Sequence, residues 1–300
     1  MDLHNLPREI LILIFKKLPL TDLLRLESVN QVYQEIITTT KWDHLVVHMK
    51  FDDTISSFVE NHQFMNYKLS DYYFQNFNLI DFTNIRQICL NKSHFINDDG
   101  LKYFSNCQKI SLSRCHGITG IGFKYFVNCQ KIKLSSCRSL KGKFFRYLSN
   151  CSNVVLTDCG QITDEHLKNF ENCHTIKLHM CQNIIGSGFK YLISCTNISL
   201  VNCYKIIENN LESLKNCTTI HLAISNITGD CFKHFISCTK LELFKCYGIF
   251  DENFKYLKKE VEIIFLCAPE TVTGEPLHMF SQNYNILRIM SGMSRVPYSS

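Results

Sequence analysis

From Ile88 to Phe265 the apolar positions recur with a step close to 22 residues. Each repeat opens on two apolar residues separated by one variable position. The pairs are Ile88/Leu90, Ile110/Leu112, Ile132/Leu134, Val154/Leu156, Ile176/Leu178, Ile198/Leu200, Ile220/Leu222, Leu241/Leu243 and Ile263/Phe265. A spacing of two puts both members on one face of a short strand and turns the residue between them to the other face. In the repeat that starts at Ile110, Cys115 and Ile118 follow the strand, and Gly117, Gly120 and Gly122 help the chain round its bend. Phe123, Phe126 and Cys129 then recur every three residues, a stripe that a short return segment buries as a helix or partly as a tighter turn.

No single repeat can shield such a stripe from water. Stacked neighbours can, each fully buried Leu, Ile or Phe contributing roughly 1.5–3 kcal/mol before chain entropy is subtracted. The expected product is a parallel-strand solenoid with an extended concave face, and such a face points to binding rather than catalysis. No proline occurs between Leu20 and Ala268, so every backbone donor of the array is available for strand pairing. Ser225, Glu260 and Ala268 replace repeat cysteines, and Pro269, Pro276 and Pro297 fall late, which predicts a degenerate C-terminal cap. Projected backwards, the phase lands on Tyr67/Leu69 and Leu45/Val47. Residues 45–87 are therefore expected to hold degenerate repeats or a connecting segment ahead of the regular array at 88–300.

Residues 1–44 lack the repeat. Leu6-Pro7 precedes Glu9, Ile10, Leu11, Ile14, Phe15 and Leu18, a helical spacing with a dense apolar face. Pro7 suits a first turn, Pro19 ends the helix, and Thr21-Asp22 is placed to cap a second helix carrying Leu23, Leu24, Leu26 and Val29. A third segment carries Val32, Tyr33, Ile36 and Ile37, with Trp42 near its end. Three short helices are marginal alone, so packing on the first coil, binding a partner, or both must supply further burial.

Composition narrows the function classes. A hydrophobic fraction of 45% with 20% charged residues fits a packed core, and a net charge of +5 demands neither nucleic acid nor an anionic membrane as partner. The start has no cationic segment leading into a secretory core, and the early apolar run Ile10 to Phe15 is far shorter than the roughly 20 residues that span a bilayer. An intracellular protein, cytoplasmic or nuclear, is expected. The wealth of Asn, Ile, Lys, Phe and Tyr resembles AT-rich coding, as in some protists or large DNA viruses, and a viral source would make the compartment that of the host cell.

Of the 16 cysteines, all but Cys89, Cys231 and Cys267 follow the repeat phase. The recurrent eight-residue spacing across a strand, as in Cys107/Cys115, puts the two thiols beyond disulfide reach, and no pair has zinc-knuckle spacing. They read as small buried hydrophobes, with no metal or other cofactor expected. The chain lacks a phosphate-binding glycine loop and a helical pair of metal-spaced histidines, so no catalytic residue is assigned.

Residues Leu6-Pro7, Glu9-Ile10-Leu11, Ile14-Phe15, Leu18, Asp22-Leu23, Val29, Tyr33 and Trp42 together resemble the F-box. Tyr33 stands where a Trp is usual, and Asn30 follows Val29 where Cys is common. The repeats resemble the cysteine-containing class of leucine-rich repeats. The combination implies an α/β leucine-rich-repeat solenoid behind a small all-α F-box-like segment, acting as the non-catalytic substrate receptor of a Skp–cullin–F-box ubiquitin ligase. The resemblance further implies a Skp-type adaptor docked through Leu6, Pro7, Ile10, Leu11, Ile14, Phe15 and Leu18, a cullin scaffold, and a target protein held for ubiquitination. A repeat scaffold or inhibitor whose helices only cap the solenoid is the alternative.

One side chain between each inward pair faces the concave surface: Ser111, Lys133, Val155, Lys177, Ser199, His221, Glu242 and Ile264. The early coils lean basic, and later ones add apolar groups. Arg114, Lys133, Lys177, His179, Val201, His221 and Phe244 are the candidate target contacts, set against the plainer reading of a solvated face. An acidic or phosphorylated target segment along the early coils, with an apolar anchor at Phe244, is the chemistry they favour.

Overall fold

The computed structural model describes residues 3, 6–51, 54–72, 82–93, 96–224, 226–246, 248–249, 251–266 and 285–289. The chain divides into two compact units, Met1–Leu140 and Lys141–Ser300.

The first unit opens with α1 (Arg8–Phe15), α2 (Leu20–Glu27) and α3 (Gln31–Thr39). Leu11, Phe15, Leu23, Tyr33, Ile36 and Ile37 form their common core. Phe15 meets Tyr33 edge to face at 5.2 Å between ring centres, a favoured aromatic geometry. Arg8 ties α1 to α3, donating to Glu35 Oε1 at 2.6 Å and to Thr39 Oγ1 at 2.9 Å. Asn30, at the position where cysteine is common, caps α3: its Oδ1 accepts from the Tyr33 N–H at 2.8 Å. The expected cap at Thr21-Asp22 is not used. The extended backbone of Pro19 is the N-cap, without a side-chain hydrogen bond, and helix starts one residue earlier, at Leu20. Trp42 does not end the third helix either. It opens strand β1 (Trp42–Phe51), fully buried, with its indole N–H donating to the Ile37 carbonyl at 2.8 Å.

Behind β1 come α4 (Thr54–Asn61), β2 (Phe64–Tyr72), β3 (Gln87–Asn91), β4 (Lys109–Ser113) and β5 (Lys131–Ser135). All pair in parallel with their neighbours in sequence. Tyr67 and Leu69 lie opposite Ile88 and Leu90, as the projected phase requires. The projection fails one strand earlier. Val47 and Met49, rather than Leu45 and Val47, face Tyr67 and Leu69, because the register slips between Trp42 and Val46. Glu27 of α2 reaches the end of α4, its Oε2 lying 2.9 Å from His62 Nε2, so a side-chain bond joins the helical segment to the first coil.

The second unit holds β6 (Asn153–Thr157), β7 (Thr175–His179), β8 (Asn197–Val201), β9 (Thr219–Ala223), β10 (Lys240–Phe244), β11 (Glu262–Leu266) and β12 (Asn285–Ile289). They too form an ordered parallel ladder. In both units the returns of the regular repeats are 3-10 segments of five to seven residues, such as Ile121–Tyr125 and Asp164–Phe170, rather than α-helices. This is the leucine-rich-repeat coil. The late substitutes Ser225 and Ala268, the three late prolines and Cys267 lie outside the described residues.

Two bends in each coil put backbone polar groups where water cannot reach, and the side chains at those bends follow from that. After each of β3–β8 and β10 one non-glycine residue takes a left-handed conformation: Lys92, Arg114 and Ser136 in the first unit, Asp158, Met180, Asn202 and Lys245 in the second, with φ between 51° and 55°. That geometry aims its N–H at the next coil, as in Arg114 to the Ser135 carbonyl at 2.8 Å and Met180 to the Val201 carbonyl at 2.8 Å. The following cysteine donates its S–H back to the preceding coil, Cys115 to Leu90 O and Cys203 to Leu178 O. The second cysteine of each repeat serves the other bend: Cys173 Sγ lies 2.9 Å from the Thr175 carbonyl.

Carboxylates close the start of some returns from the coil before. Asp98 accepts from the N–H groups of Thr119, Gly120 and Gly122 and from the Thr119 hydroxyl, at 2.8 to 3.0 Å. Asp164 does the same for Ile185 and Gly188. So close an approach leaves no room for a side chain, since a Cβ on Gly122 or Gly188 would fall 2.3 Å from the Asp98 or Asp164 carbonyl oxygen. Glu208 takes this role for Thr228, Gly229 and Cys231 with an arm one methylene longer, and there the position equivalent to Gly122 carries the buried Cys231. Burial pushes the Glu208 carboxyl up, but the hydrogen bonds from Thr228 and Cys231 outweigh it and hold the group below its ordinary range.

Gly122→Ala and Gly188→Ala are each expected to cost about 2–3 kcal/mol by overpacking against fixed backbone. Gly160→Ala, with nothing within 4 Å of its Cβ, should be near neutral. Urea unfolding of the three variants measures the contrast.

Candidate functional site

The helical segment divides its apolar residues between two faces. Leu11 and Phe15, both expected to contact an adaptor, lie inside the core at 2% and 1% exposure, because Tyr33 closes over Phe15 and the three helices bury that side of α1. Pro7 and Ile10 are exposed, while Leu6, Ile14 and Leu18 are half-buried. Leu13 stands out at 60% exposure, with Val29 at 55% and Val32 at 56%. Ile10, Leu13 and Ile14 share one face of α1 by their three- and four-residue spacing. Leu13, Val29 and Val32 are each more exposed than Ile10, at 42%. A helical wheel of α1 that sets Leu11 and Phe15 apart from Ile10 and Leu13 would have revealed Leu13.

Along the strands of the first unit, the residues between the inward pairs point to solvent. The ladder sets Lys109 opposite Lys131 and Ser111 opposite Lys133. Arg114 is exposed in its left-handed turn, and Lys133 is half-buried beside Ser111.

The outward row of the second unit is a mixed polar chain. Lys177 is exposed, while His179, Val201, His221 and Phe244 are half-buried. His179 Nε2 lies 3.2 Å from Ser199 Oγ, Ser199 Oγ 3.4 Å from His221 Nδ1, and His221 Nδ1 3.6 Å from Glu242 Oε2. Lys240 in turn donates to Glu242 Oε1 at 2.9 Å, and the Lys245 ammonium sits 5.2 Å from the Phe244 ring centre. The Ser–His–Glu order invites comparison with a nucleophile triad. The geometry refuses it: serine and carboxylate both approach the same nitrogen of His221, whereas a relay uses the two opposite nitrogens. Ser199 is moreover buried. The row is a hydrogen-bonded ladder.

The repeat thiols are built for packing. Burial pushes Cys107 and Cys173 up to about 12, so both stay protonated at neutral pH and act as donors rather than nucleophiles. No group of three or more His, Cys, Asp or Glu suited to a metal ion occurs among the described residues. Among them, too, no helix is long and apolar enough to cross a membrane.

Comparison with known proteins places these surfaces. Residues 3–48 match the F-box-like family. No curated protein sequence matches the chain. Among solved structures, an internalin from Listeria monocytogenes is similar with a TM-score of 0.59 at 10% identity, over 89% of this chain and 81% of its own. The Rad7 and Elc1 complex of yeast is similar with a TM-score of 0.60 at 14% identity, over 95% of this chain and 89% of that one. At such identities the likeness is one of fold. The F-box-like segment in front of a leucine-rich solenoid is thus supported by both sequence family and fold.

His221 offers a local reading of the second unit's face. Burial lowers its affinity for a proton and Lys177 lowers it further, while Glu242 acts in the opposite direction, and the balance lies below the ordinary histidine value. The folded state therefore favours neutral imidazole. The associated stability is present above the unfolded value, about 6.5, and is lost as pH falls below it. An NMR titration should find the His221 midpoint below that of a free histidine, raised in Lys177→Gln and lowered further in Glu242→Gln.

Proposed function

We propose that the chain is the substrate-recognition subunit of a Skp–cullin–F-box ubiquitin ligase, its helical segment docking on a Skp-type adaptor and its repeat face capturing a target protein. The observation that carries this reading is the division of labour on α1. The segment completes a core of its own with Leu11, Phe15 and Tyr33, yet leaves Ile10, Leu13, Val29 and Val32 open to solvent. A cap that served only the solenoid would gain nothing from those residues, whereas a partner helix pair would bury them at roughly 25 cal/mol per Å². The F-box-like match over residues 3–48 supports the same partner. The fold shared with a yeast complex of Rad7 with Elc1 supports an assembly with a second protein.

Catalysis in this scheme belongs to other subunits. The contribution of this chain is positioning, since holding a target beside a charged enzyme raises effective concentration without new chemistry at the receptor. A cullin scaffold is the further partner, and the setting is intracellular. A repeat scaffold or inhibitor without a ubiquitin role differs in one respect: its helices would hold no adaptor.

Immobilised full-length protein is expected to retain a purified Skp-type adaptor. Leu13→Glu or Val32→Glu should reduce retention at least about tenfold, the loss of about 1.4 kcal/mol or more, without lowering the melting temperature. Phe15→Ala should lower both, because it opens the helical core. Absence of retention by the unaltered protein, or retention unchanged in both Glu variants, contradicts the proposal.

A further inference from the structure

The outward side of β3–β5 in the first unit holds cations without counter-charges among the described residues. Residues 87–93, 109–115 and 131–137, the three strands and the bends after them, include Lys92, Lys109, Arg114, Lys131 and Lys133 and not one Asp or Glu. None of these five is in an ion pair with a carboxylate among the described residues, where the pairs are formed by other side chains. Lys109 and Lys131 are direct ladder partners, an arrangement that costs stability when like charges face each other across neighbouring strands. Lys133 stands two residues on along the same face, and Lys68 of β2 extends its row through Cys89 and Ser111. The second unit treats its charges differently: Lys240 and His221 share Glu242, and Lys168 pairs with Glu165.

The groups between the cations have the same polarity of function. Ser111, Ser113, Ser135 and Ser136 are half-buried hydroxyls that can donate to an anion, and together with the ammonium and guanidinium groups they make a donor-rich floor without a competing carboxylate. From β2 to β5 the row spans three strand steps, about 14 Å, the reach of roughly four extended residues. None of the outward positions of β3–β5 is aromatic, so the face has no stacking platform for nucleic-acid bases.

We propose that this face of the first unit binds an extended anionic peptide segment, through carboxylate or phosphoryl groups that neutralise the Lys109–Lys131–Lys133 cluster. The inference rests on the reading of the repeat face as the target-capture surface, and it names the chemistry of the target.

Fluorescence anisotropy of the full-length protein with short labelled peptides tests it, using glutamate-rich, phosphoserine-containing and serine-only versions beside an oligonucleotide of similar length. The glutamate or the phosphoserine peptide should bind and weaken with added salt, and their order identifies carboxylate or phosphate as the preferred source. Lys109→Glu/Lys131→Glu should weaken binding at least about tenfold, and Lys109→Arg/Lys131→Arg should keep it. Equal binding of the serine-only peptide overturns the proposal, as does undiminished binding by the charge-reversed variant, tighter binding of the oligonucleotide, or no binding of either anionic peptide. Adaptor retention measured on the same charge-reversed protein remains as in the unaltered chain, so failure of the peptide proposal is separable from failure of the adaptor reading.

Discussion

Stacking coils one strand apart forces two buried bends per repeat, and every N–H and carbonyl at those bends must find a partner inside the protein. This constraint fixes more of the chain than the apolar core does. A left-handed residue after most strands of the regular array turns its N–H onto the next coil, and a thiol beside it donates to the carbonyl of the coil before. Cysteine suits the place because it packs as a small hydrophobe while still carrying a weak donor. A hydroxyl would bond more strongly but would cost more to bury wherever its geometry fell short. The carboxylates of Asp98, Asp164 and Glu208 complete the scheme at the return segments.

Once the bends are satisfied by backbone and small side chains, the outward strand positions carry no structural duty. They are held at fixed spacing by the ladder and are free to vary in chemistry. The two units use that freedom differently. Outward positions of β4 and β5 in the first are lysines and serines without acids, while the second interlocks His179, Ser199, His221, Glu242 and Lys240 in one polar row. Internal pairing lowers what an interface has to desolvate, and unpaired charge leaves it available for a partner.

The strand positions were legible from the sequence because a spacing of two inside a step near 22 admits one geometry, and the ladder of each unit keeps it, from Ile88 to Ile132 in the first and from Val154 to Ile263 in the second. The return segments were legible only as apolar stripes, since three-residue spacing serves a 3-10 turn and an α-helical turn alike. Most left-handed residues left no mark: Lys92, Arg114, Ser136, Met180 and Lys245 are not residue types that announce positive φ, as Asp158 and Asn202 are, and the coil stacking imposes it. Phase failed at β1 because Trp42 anchors that strand to the helical segment through Ile37, and the register slips to accommodate it. Which apolar residues of α1 are exposed was legible in part. Matching a motif named Leu11 and Phe15, but a motif marks what a family keeps for any reason, core packing included.

That last distinction governs how the N-terminal segment can work. A helix that contacts a partner with residues needed for its own core would have to loosen to bind, and the ordering cost would reduce affinity. Here Phe15 packs against Tyr33 and Leu11 is buried while Ile10 and Leu13 face outward, so the proposed docking face needs no loosening of the core. The segment is also held from behind. Trp42 is buried where α3 passes into β1, and Glu27 meets His62 at the end of α4. Rigid attachment matters more for a positioning subunit than for a simple binder. Effective concentration falls steeply when the two ends of a linkage can wander, and only two residues separate the end of α3 at Thr39 from the start of β1 at Trp42.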